Sequence, residues 1–580
     1  MKRVSIAFVG VIGTLLAVLL SASLAGASPT PTAGSNVPVT DQSYVSADVM
    51  GGTGSYSDDV LTRCSTDNRM QNEPTLAIDP RNHMVWTSGS NDYCTVPTAG
   101  DAWPGFYRSA DGGGTWTDSL LPGYLGDSSS QGTSSPLHPL VLAGSIAGGD
   151  PVQAWDGSGD LFYMGNNFSR GVLSGNSGGT RNNIGSIWVA TYGPADPNDT
   201  STDGSRYLRT VLLDTNTFGK GQSTDKTAIA VDPATGDVYA AWSNFHGSAC
   251  NEILFSRSTD HGQTFSQPLK LSSGVCNNQG PSIAIGTGGN VYVAWEGSTG
   301  GTFFQHAVTG AAFVRSSNFG LSFSKANLAT TYTPFTSEEF SGNGARECGD
   351  APFNCPTGFT FPRFDLAPPY LAADNVNGTL VMAFQAEQPN GQGQIEYSFS
   401  TDGGTQWSEN APLDPSPDSG HQFFPFLTAS NGRVSAIWYD SRGDPNYDPT
   451  RAPCNDANGV TSACLNVRYA ESTDGGKTWS QSIQVTDTPT NPNLEQFGGR
   501  LVPFFGDYIT VAAQGDTIGT VWTDQRDAAL GVEKDGTDQD GADVAGDPET
   551  IGGACTSALD DCFDGTSGLD QNIYSAPITP

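Results

Sequence analysis

Basic residues are the first shortage. Lys and Arg number 26 against 60 Asp and Glu, a formal net charge of −34 over 580 residues. Nucleic acids and anionic membrane surfaces are held by clustered Lys and Arg, so both are excluded as partners. Long apolar runs are also missing beyond the start of the chain. The one such run, Val4 to about Leu20, follows Lys2 and Arg3 and precedes the small-x-small triplet Ala25-Gly26-Ala27. That order predicts a secretory signal peptide over residues 1–27, a secreted protein, and no membrane span in the mature chain. Amphipathic helices of any length are lacking. The 72 Gly and 36 Pro, with 10 % aromatics, favour many short strands and tight turns instead.

Zinc-finger spacing is absent as well. The ten cysteines fall as sequence neighbours: Cys64/Cys94, Cys250/Cys276, Cys348/Cys355, Cys454/Cys464 and Cys555/Cys562. In an exported chain an even count favours disulfides, and neighbour pairing would staple local loops. No cofactor is implied. The acidic run from Asp535 to Glu549 offers Asp535, Asp538, Asp540 and Asp543 as hard oxygen ligands for calcium. It lacks the EF-hand spacing and the distal Glu, so a solvated loop competes with that reading.

What the chain has in abundance is repetition. A short apolar strand, a Gly-containing turn and a second strand recur in seven places. Examples are NEPTLAIDPRNHMVWTSGS from Asn72, DKTAIAVDPATGDVYAAWSNF from Asp225 and GDYITVAAQGDTIGTVWTDQR from Gly506. In most units a third strand follows, then an eight-residue stamp, then a fourth strand. Four antiparallel strands cannot bury both faces alone, whereas seven such sheets arranged radially can. The predicted fold is all-β, a seven-bladed β-propeller spanning residues 66–580; six blades remain open if the stampless second unit is misread. The last unit lacks its fourth strand. The N-terminal segment, residues 28–65, is expected to supply it through Asn36 to Met50.

The stamp reads SADGGGTW from Ser109, STDHGQTF from Ser258, SSNFGLSF from Ser316, STDGGTQW from Ser400 and STDGGKTW from Ser472. Its Asp can accept backbone N–H groups as Asx-turns do, its Gly permits positive φ, and its aromatic ring can lodge between neighbouring sheets. It resembles the Asp-box, or bacterial neuraminidase repeat, S-x-D-x-G-x-T-W. By that resemblance the mature chain is similar to the sialidase-like Asp-box superfamily, whose enzymes remove terminal sialic acid. The resemblance implies three arginines on the sugar carboxylate, a Tyr–Glu nucleophile pair and an Asp acid/base. Arg363, Arg442 and Arg526 would form the arginine cluster, and Tyr508 the nucleophile with Glu73 nearby. The Arg-Ile-Pro sequence expected in the first blade is absent; the chain there reads QNEPTLAID.

Strand order also locates the chemistry. In an up-and-down sheet the A–B and C–D turns share one end, and the B–C and D–A connections share the other. The A–B turns are short, whereas long insertions fall in B–C connections such as Asp440–Asn466 and Asp524–Gln571. Functional loops gather on one side of a rigid scaffold, so the site is expected at the end opposite the stamps, around the axis. Glu73, Asp150, Asp225, Lys226 and Asp507 with Tyr508 fall where strand A begins. Asp440 with Arg442 and Asp524 with Arg526 follow strand B, and Arg363 precedes strand A of the fifth unit. The seven acidic and phenolic groups are the catalytic candidates; Lys226, Arg363, Arg442 and Arg526 are the substrate-binding ones. Grouped carboxylates would push one another's pKa values apart, as acid/base chemistry requires. The competing reading makes Asp440–Arg442 and Asp524–Arg526 local salt bridges that brace loops. Two functions remain open: an exo-acting glycoside hydrolase cleaving sialic acid or another terminal sugar, and a carbohydrate- or protein-binding propeller without catalysis. Either way the expected partner is an extracellular glycan or glycoprotein, met by a monomer.

Overall fold

The computed structural model describes residues 30–40, 42–66, 70–99, 101–169, 183–218, 222–246, 250–299, 308–335, 368–415, 419–449, 453–456, 459–460, 462–492, 505–527 and 571–580. Within them, seven large antiparallel sheets form in chain order, beside a two-stranded one, Asn455–Asp456 with Gly459–Val460. The first strands of the seven, Gln71–Ile78, Ala147–Trp155, Gln222–Val231, Cys276–Ile285, Tyr370–Asp374, Gln422–Ser430 and Thr510–Gln514, each touch the next, and the last touches the first. The fold is therefore a closed seven-bladed β-propeller whose A strands line the axis. The stampless second unit is a full blade, with outer strands Asn183–Gly193 and Arg206–Phe218, which excludes the six-bladed alternative.

Closure uses both ends of the described chain. Thr32–Ala33 and Val37–Pro38 pair with Asn572–Thr579, which pairs in turn with Thr517–Asp524. The closing strand thus starts four residues upstream of Asn36. It does not extend to Met50, because Ser46 accepts from the Val49 N–H and caps a helix over Ala47–Met50. Core packing follows the repeat: Trp242, Trp295, Trp438 and Trp522, in the middle or second half of their B strands, are fully buried.

Register fixes the two ends of the molecule. Ser109 of the first stamp lies opposite Trp86, while Asp92, at the other end of the same strand B, lies opposite Trp103. In the sixth blade Ser472 faces Val434 and Asn466 faces Asp440. The stamps therefore sit at one end, and the A-strand starts and B-strand ends at the other. Within each stamp the Ser hydroxyl donates to the acid two residues on, at 2.7–2.9 Å, and accepts from the Gly N–H four residues on. Asn318 performs the Asp role in the fourth blade. The glycines lie at φ between 69° and 84°. A Cβ on Gly476 would meet Val381 of the preceding blade at 2.4 Å, and one on Gly404 would meet Phe313 at 2.4 Å. The closing rings cross the same junctions, Trp407 onto Phe313 and Trp479 onto Tyr397. Asp474 takes hydrogen bonds from Ser472, Lys477 and, twice, Thr478. Asp474→Ala strands those donors, and the urea midpoint should report a loss of about 1–3 kcal/mol. An unchanged midpoint would show that the corner does not hold the blade.

Blade 2 replaces the stamp with a buried acid pair. Asp79 in the blade 1 hairpin and Asp203 in the blade 2 outer turn are both fully buried. Arg81 Nη1 stands 3.4 Å from Asp203 Oδ2, and Arg108 Nε donates to the Asp203 carbonyl at 2.9 Å. Burial, then the adjacent Asp79, pushes Asp203 up to about 7. An acid raised in the folded state stabilises fully below its unfolded pKa, about 3.9, and loses that contribution as pH rises through the folded value. Thermal stability should therefore fall between about pH 4 and pH 7. Asp203→Asn should flatten that fall, and parallel melting curves for the two proteins would refute the assignment.

Among the described residues three disulfides form, Cys64–Cys94, Cys250–Cys276 and Cys454–Cys464, and no described cysteine is free. Cys348/Cys355, Cys555/Cys562, the signal-peptide region and the run from Asp535 lie outside the described residues. No described helix is long and apolar enough to cross a membrane.

Candidate functional site

The A strands begin with one recurring backbone device. N-E-P-T, G-D-P-V, D-K-T-A, Q-G-P-S and F-F-P-F align at Glu73, Asp150, Lys226, Gly280 and Phe424. Each of these residues has φ between 50° and 64°, and each lies within a register shift of the A–B ladder. Non-glycine residues avoid this region, so four such positions in equivalent places mark a demanded conformation. The bulge frees the residue's N–H from the ladder. A strand-B side chain of the preceding blade accepts it: Asn91 Oδ1 from Asp150 at 3.0 Å, Ser243 Oγ from Gly280 at 3.1 Å and Gln385 Oε1 from Phe424 at 2.8 Å.

Three of these starts, with Asp507 ahead of the blade 7 A strand, bring charge together. Lys226 Nζ stands 2.5 Å from Asp507 Oδ2, 3.3 Å from Asp150 Oδ1, 3.9 Å from Asp225 Oδ1 and 4.0 Å from Glu73 Oε1. Blades 1, 2, 3 and 7 thus meet at one ammonium. Asn91 Nδ2 donates to Glu73 Oε2 at 2.9 Å, and Asn166 Nδ2 donates to Asp150 Oδ2 at 2.6 Å. Glu73 and Asp150 are nearly sealed, with side chains 4 % and 8 % exposed, whereas Lys226 and Asp507 keep 13 % and 14 % and Asp225 keeps 36 %. The group therefore reaches solvent on the Asp225 and Asp507 side.

Crowding separates the acids by protonation. Burial raises Glu73 to about 8, and the charges of Asp150 and Asp507 add to that against the opposing pull of Lys226. Partial desolvation, then the Asp150 charge, raises Asp225 well above the carboxylate range. For Asp150 burial acts upward, but Lys226 and the Asp225 hydrogen bond outweigh it and hold it below its ordinary value. Burial would neutralise Lys226, yet the surrounding carboxylates keep it charged. Near neutral pH the cluster holds a protonated Glu73 beside an ionised Asp150, the division of labour that acid/base catalysis needs.

The other predicted residues are placed elsewhere. Asp440 receives Arg442 Nε at 2.8 Å and Arg442 Nη2 at 2.5 Å, with Trp438 Nε1 at 3.3 Å and Gln422 Nε2 at 3.1 Å. Arg442 also reaches Asp414 at 2.5 Å. Asp524 repeats the pattern, taking Arg526 Nη2 and Trp522 Nε1, each at 2.8 Å. Arg526 continues to Asp487 at 2.6 Å and lies over the Tyr574 ring. No polar contact of these four residues reaches Lys226. They form a Trp-x-Asp-x-Arg brace that occurs in both blades 6 and 7, which is the loop-bracing alternative. Tyr508 is beside the cluster, but its hydroxyl donates to Pro151 O at 3.3 Å and makes no hydrogen bond to Glu73. Burial, then the charges of Glu73 and Asp150, holds its phenol well above the usual value, the opposite of what a nucleophile requires. Arg363 lies outside the described residues. Among the described residues no group of three or more His, Cys, Asp or Glu is arranged for a metal ion. The amides of Asn91 and Asn166 escape sequence reading; their one signal is that strand B turns polar in its last residues.

No protein-family model matches the chain, and no curated protein sequence matches it. Solved structures similar to it include the Hadza microbial sialidase Hz136, at 13 % identity, covering 76 % of this chain and 70 % of that one with a TM-score of 0.38. The Penicillium chrysogenum alpha-L-arabinanase complexed with arabinobiose is similar at 12 % identity, covering 70 % and 94 %, TM-score 0.38. The phage phi92 endosialidase is similar at 9 % identity, covering 94 % and 69 %, TM-score 0.40.

Proposed function

We propose that the protein is a secreted glycoside hydrolase acting at the propeller axis on a terminal sugar of an extracellular glycan or glycoprotein. The observation that carries this reading is the pairing of a protonated Glu73 with an ionised Asp150 around one lysine. Glu73 gives its proton to the leaving glycosidic oxygen. Asp150 faces the developing positive charge at the sugar carbon, as nucleophile or as base to a water. Asp225 holds a second proton against Asp150, and Lys226 keeps Asp150 ionised. The A strands close around the cluster on every side, so a substrate approaches along the axis, which favours a chain end over a mid-chain bond. Three formed disulfides support an extracellular setting. Arg442 and Arg526 are committed to aspartates, so a substrate carboxylate would not find them free; the reading leans to a sugar without one.

The second reading is a binding propeller without catalysis. It is favoured by Lys226 contacting all four carboxylates, which is also how an ion-pair knot would pin blades together. A screen of fluorogenic glycosides, neutral and sialylated, separates the two. Release from at least one substrate, lost in Asp150→Asn, supports the hydrolase. Silence across the panel, with retained glycan binding, supports the binder.

A further inference from the structure

Beside Lys226, which meets both members of the proposed pair through charge, Asn91 is hydrogen-bonded to both. It sits near the end of strand B of blade 1, Trp86–Asp92. Its Nδ2 donates to Glu73 Oε2 at 2.9 Å, within its own blade. Its Oδ1 accepts from the Asp150 backbone N–H at 3.0 Å, in the next blade. Space is reserved for it: a Cβ on Gly149 would meet Asn91 Oδ1 at 2.3 Å. Ser243 and Gln385 make the same inter-blade bond, but neither is hydrogen-bonded to an acid of the Lys226 cluster. Asn166 binds the Asp150 carboxylate, but its oxygen accepts from Gly149 of its own blade. The inter-blade bond and the carboxylate bond coincide at Asn91 alone of these four.

We infer that Asn91 is a positioning residue that registers Glu73 against Asp150 across the junction of blades 1 and 2. The inference rests on the hydrolase reading for its purpose, but its geometry can be tested without substrate. One bond aims the Glu73 carboxyl, because an amide donor fixes which oxygen is left to face the axis. The other fixes the left-handed turn at Asp150, whose φ is 51°, and so fixes where that side chain leaves the strand. A shift of either carboxyl by an ångström or so would separate donor from acceptor, a geometric loss that costs catalysis heavily.

The amide donor favours the charged form of Glu73, so its removal has a readable consequence. Asn91→Asp keeps the size and the acceptor for the Asp150 N–H, loses the donor and adds a carboxyl beside Glu73. Asn91→Ala loses both bonds. Carbon-13 carboxyl titration of Glu73 should move upward by about one to two pH units in Asn91→Ala, the worth of one hydrogen bond to a charged group, and further in Asn91→Asp, where a like charge adds to the lost donor. Gln385→Ala is the control. It breaks the same kind of inter-blade bond between blades 5 and 6, so it should lower the melting temperature while leaving the Glu73 midpoint in place. If Asn91→Ala does not fold, Asn91→Asp carries the test. A Glu73 midpoint that stays put in Asn91→Asp, or that moves as much in Gln385→Ala, overturns the inference. If the midpoint moves as expected but no sugar is cleaved, Asn91 keeps its positioning role and the hydrolase reading alone falls. If sugars are cleaved, the alkaline limb of kcat should shift with the midpoint in Asn91→Asp, and a fixed limb counts against the inference.

Discussion

Glu73→Gln should reduce turnover of a cleaved glycoside by about 10²–10⁴-fold, the usual worth of a positioned general acid. Gln keeps the volume of the side chain and can still hydrogen-bond to Asn91, so the loss isolates the proton. The pH profile carries the sharper test. Glu73 is held protonated up to about 8, so wild-type turnover should fall as pH rises through that value. Asp150 is held below its ordinary value, so the acid limb should lie lower than a free aspartate would place it. Glu73→Gln should erase the alkaline limb along with the rate. Undiminished turnover in that variant, or a wild-type rate flat from pH 7 to 9.5, would remove Glu73 from the chemistry.

Arg442→Ala should cost the fold about 3 kcal/mol, the lower end for breaking a buried pair because the Arg442 side chain stays 23 % exposed. The cost comes from what remains. Asp440, 1 % exposed, would keep only Gln422, the Trp438 indole and the Arg442 backbone N–H as donors. Asp440→Asn in the same chain should recover part of the loss, since the stranded charge is then gone. Guanidinium denaturation measures both variants. An arginine serving a substrate carboxylate would behave otherwise: its removal would raise KM and leave the denaturation midpoint in place. That result would return Arg442 to the substrate side.

The repeat was readable because its causes are local. Ser109, Asp111 and Gly113 satisfy one another within five residues, so the corner can be recognised wherever its letters recur. The axial cluster was readable for a related reason. Once the A strands are aligned, Glu73, Asp150 and Lys226 occupy matching places, Asp507 falls just ahead of the last A strand, and closure of the ring brings them together. The arginines were not readable to the same degree. Arg442 depends on Asp414, 28 residues away, and Arg526 on Asp487, 39 residues away. Neither acid belongs to a repeated motif, so the letters offer the local pairs with Asp440 and Asp524 as an alternative but do not show the second acid that completes each guanidinium's engagement. Tyr508 misleads similarly. Its place beside Glu73 follows from the strand start, but its donation to Pro151 O depends on how the closed ring sets blades 2 and 7 on either side of blade 1.

Because the last sheet borrows its outer strand from residues 32–38, neither terminus is a neutral place to cut or to anchor. A protein trimmed to residue 40, or halted before residue 572, would present a bare ladder of N–H and C=O groups along the seventh sheet. Such a ladder is a template for another chain. Shortened forms should therefore be sticky, exchanging strands between molecules and forming chains or swapped pairs where the intact protein closes on itself.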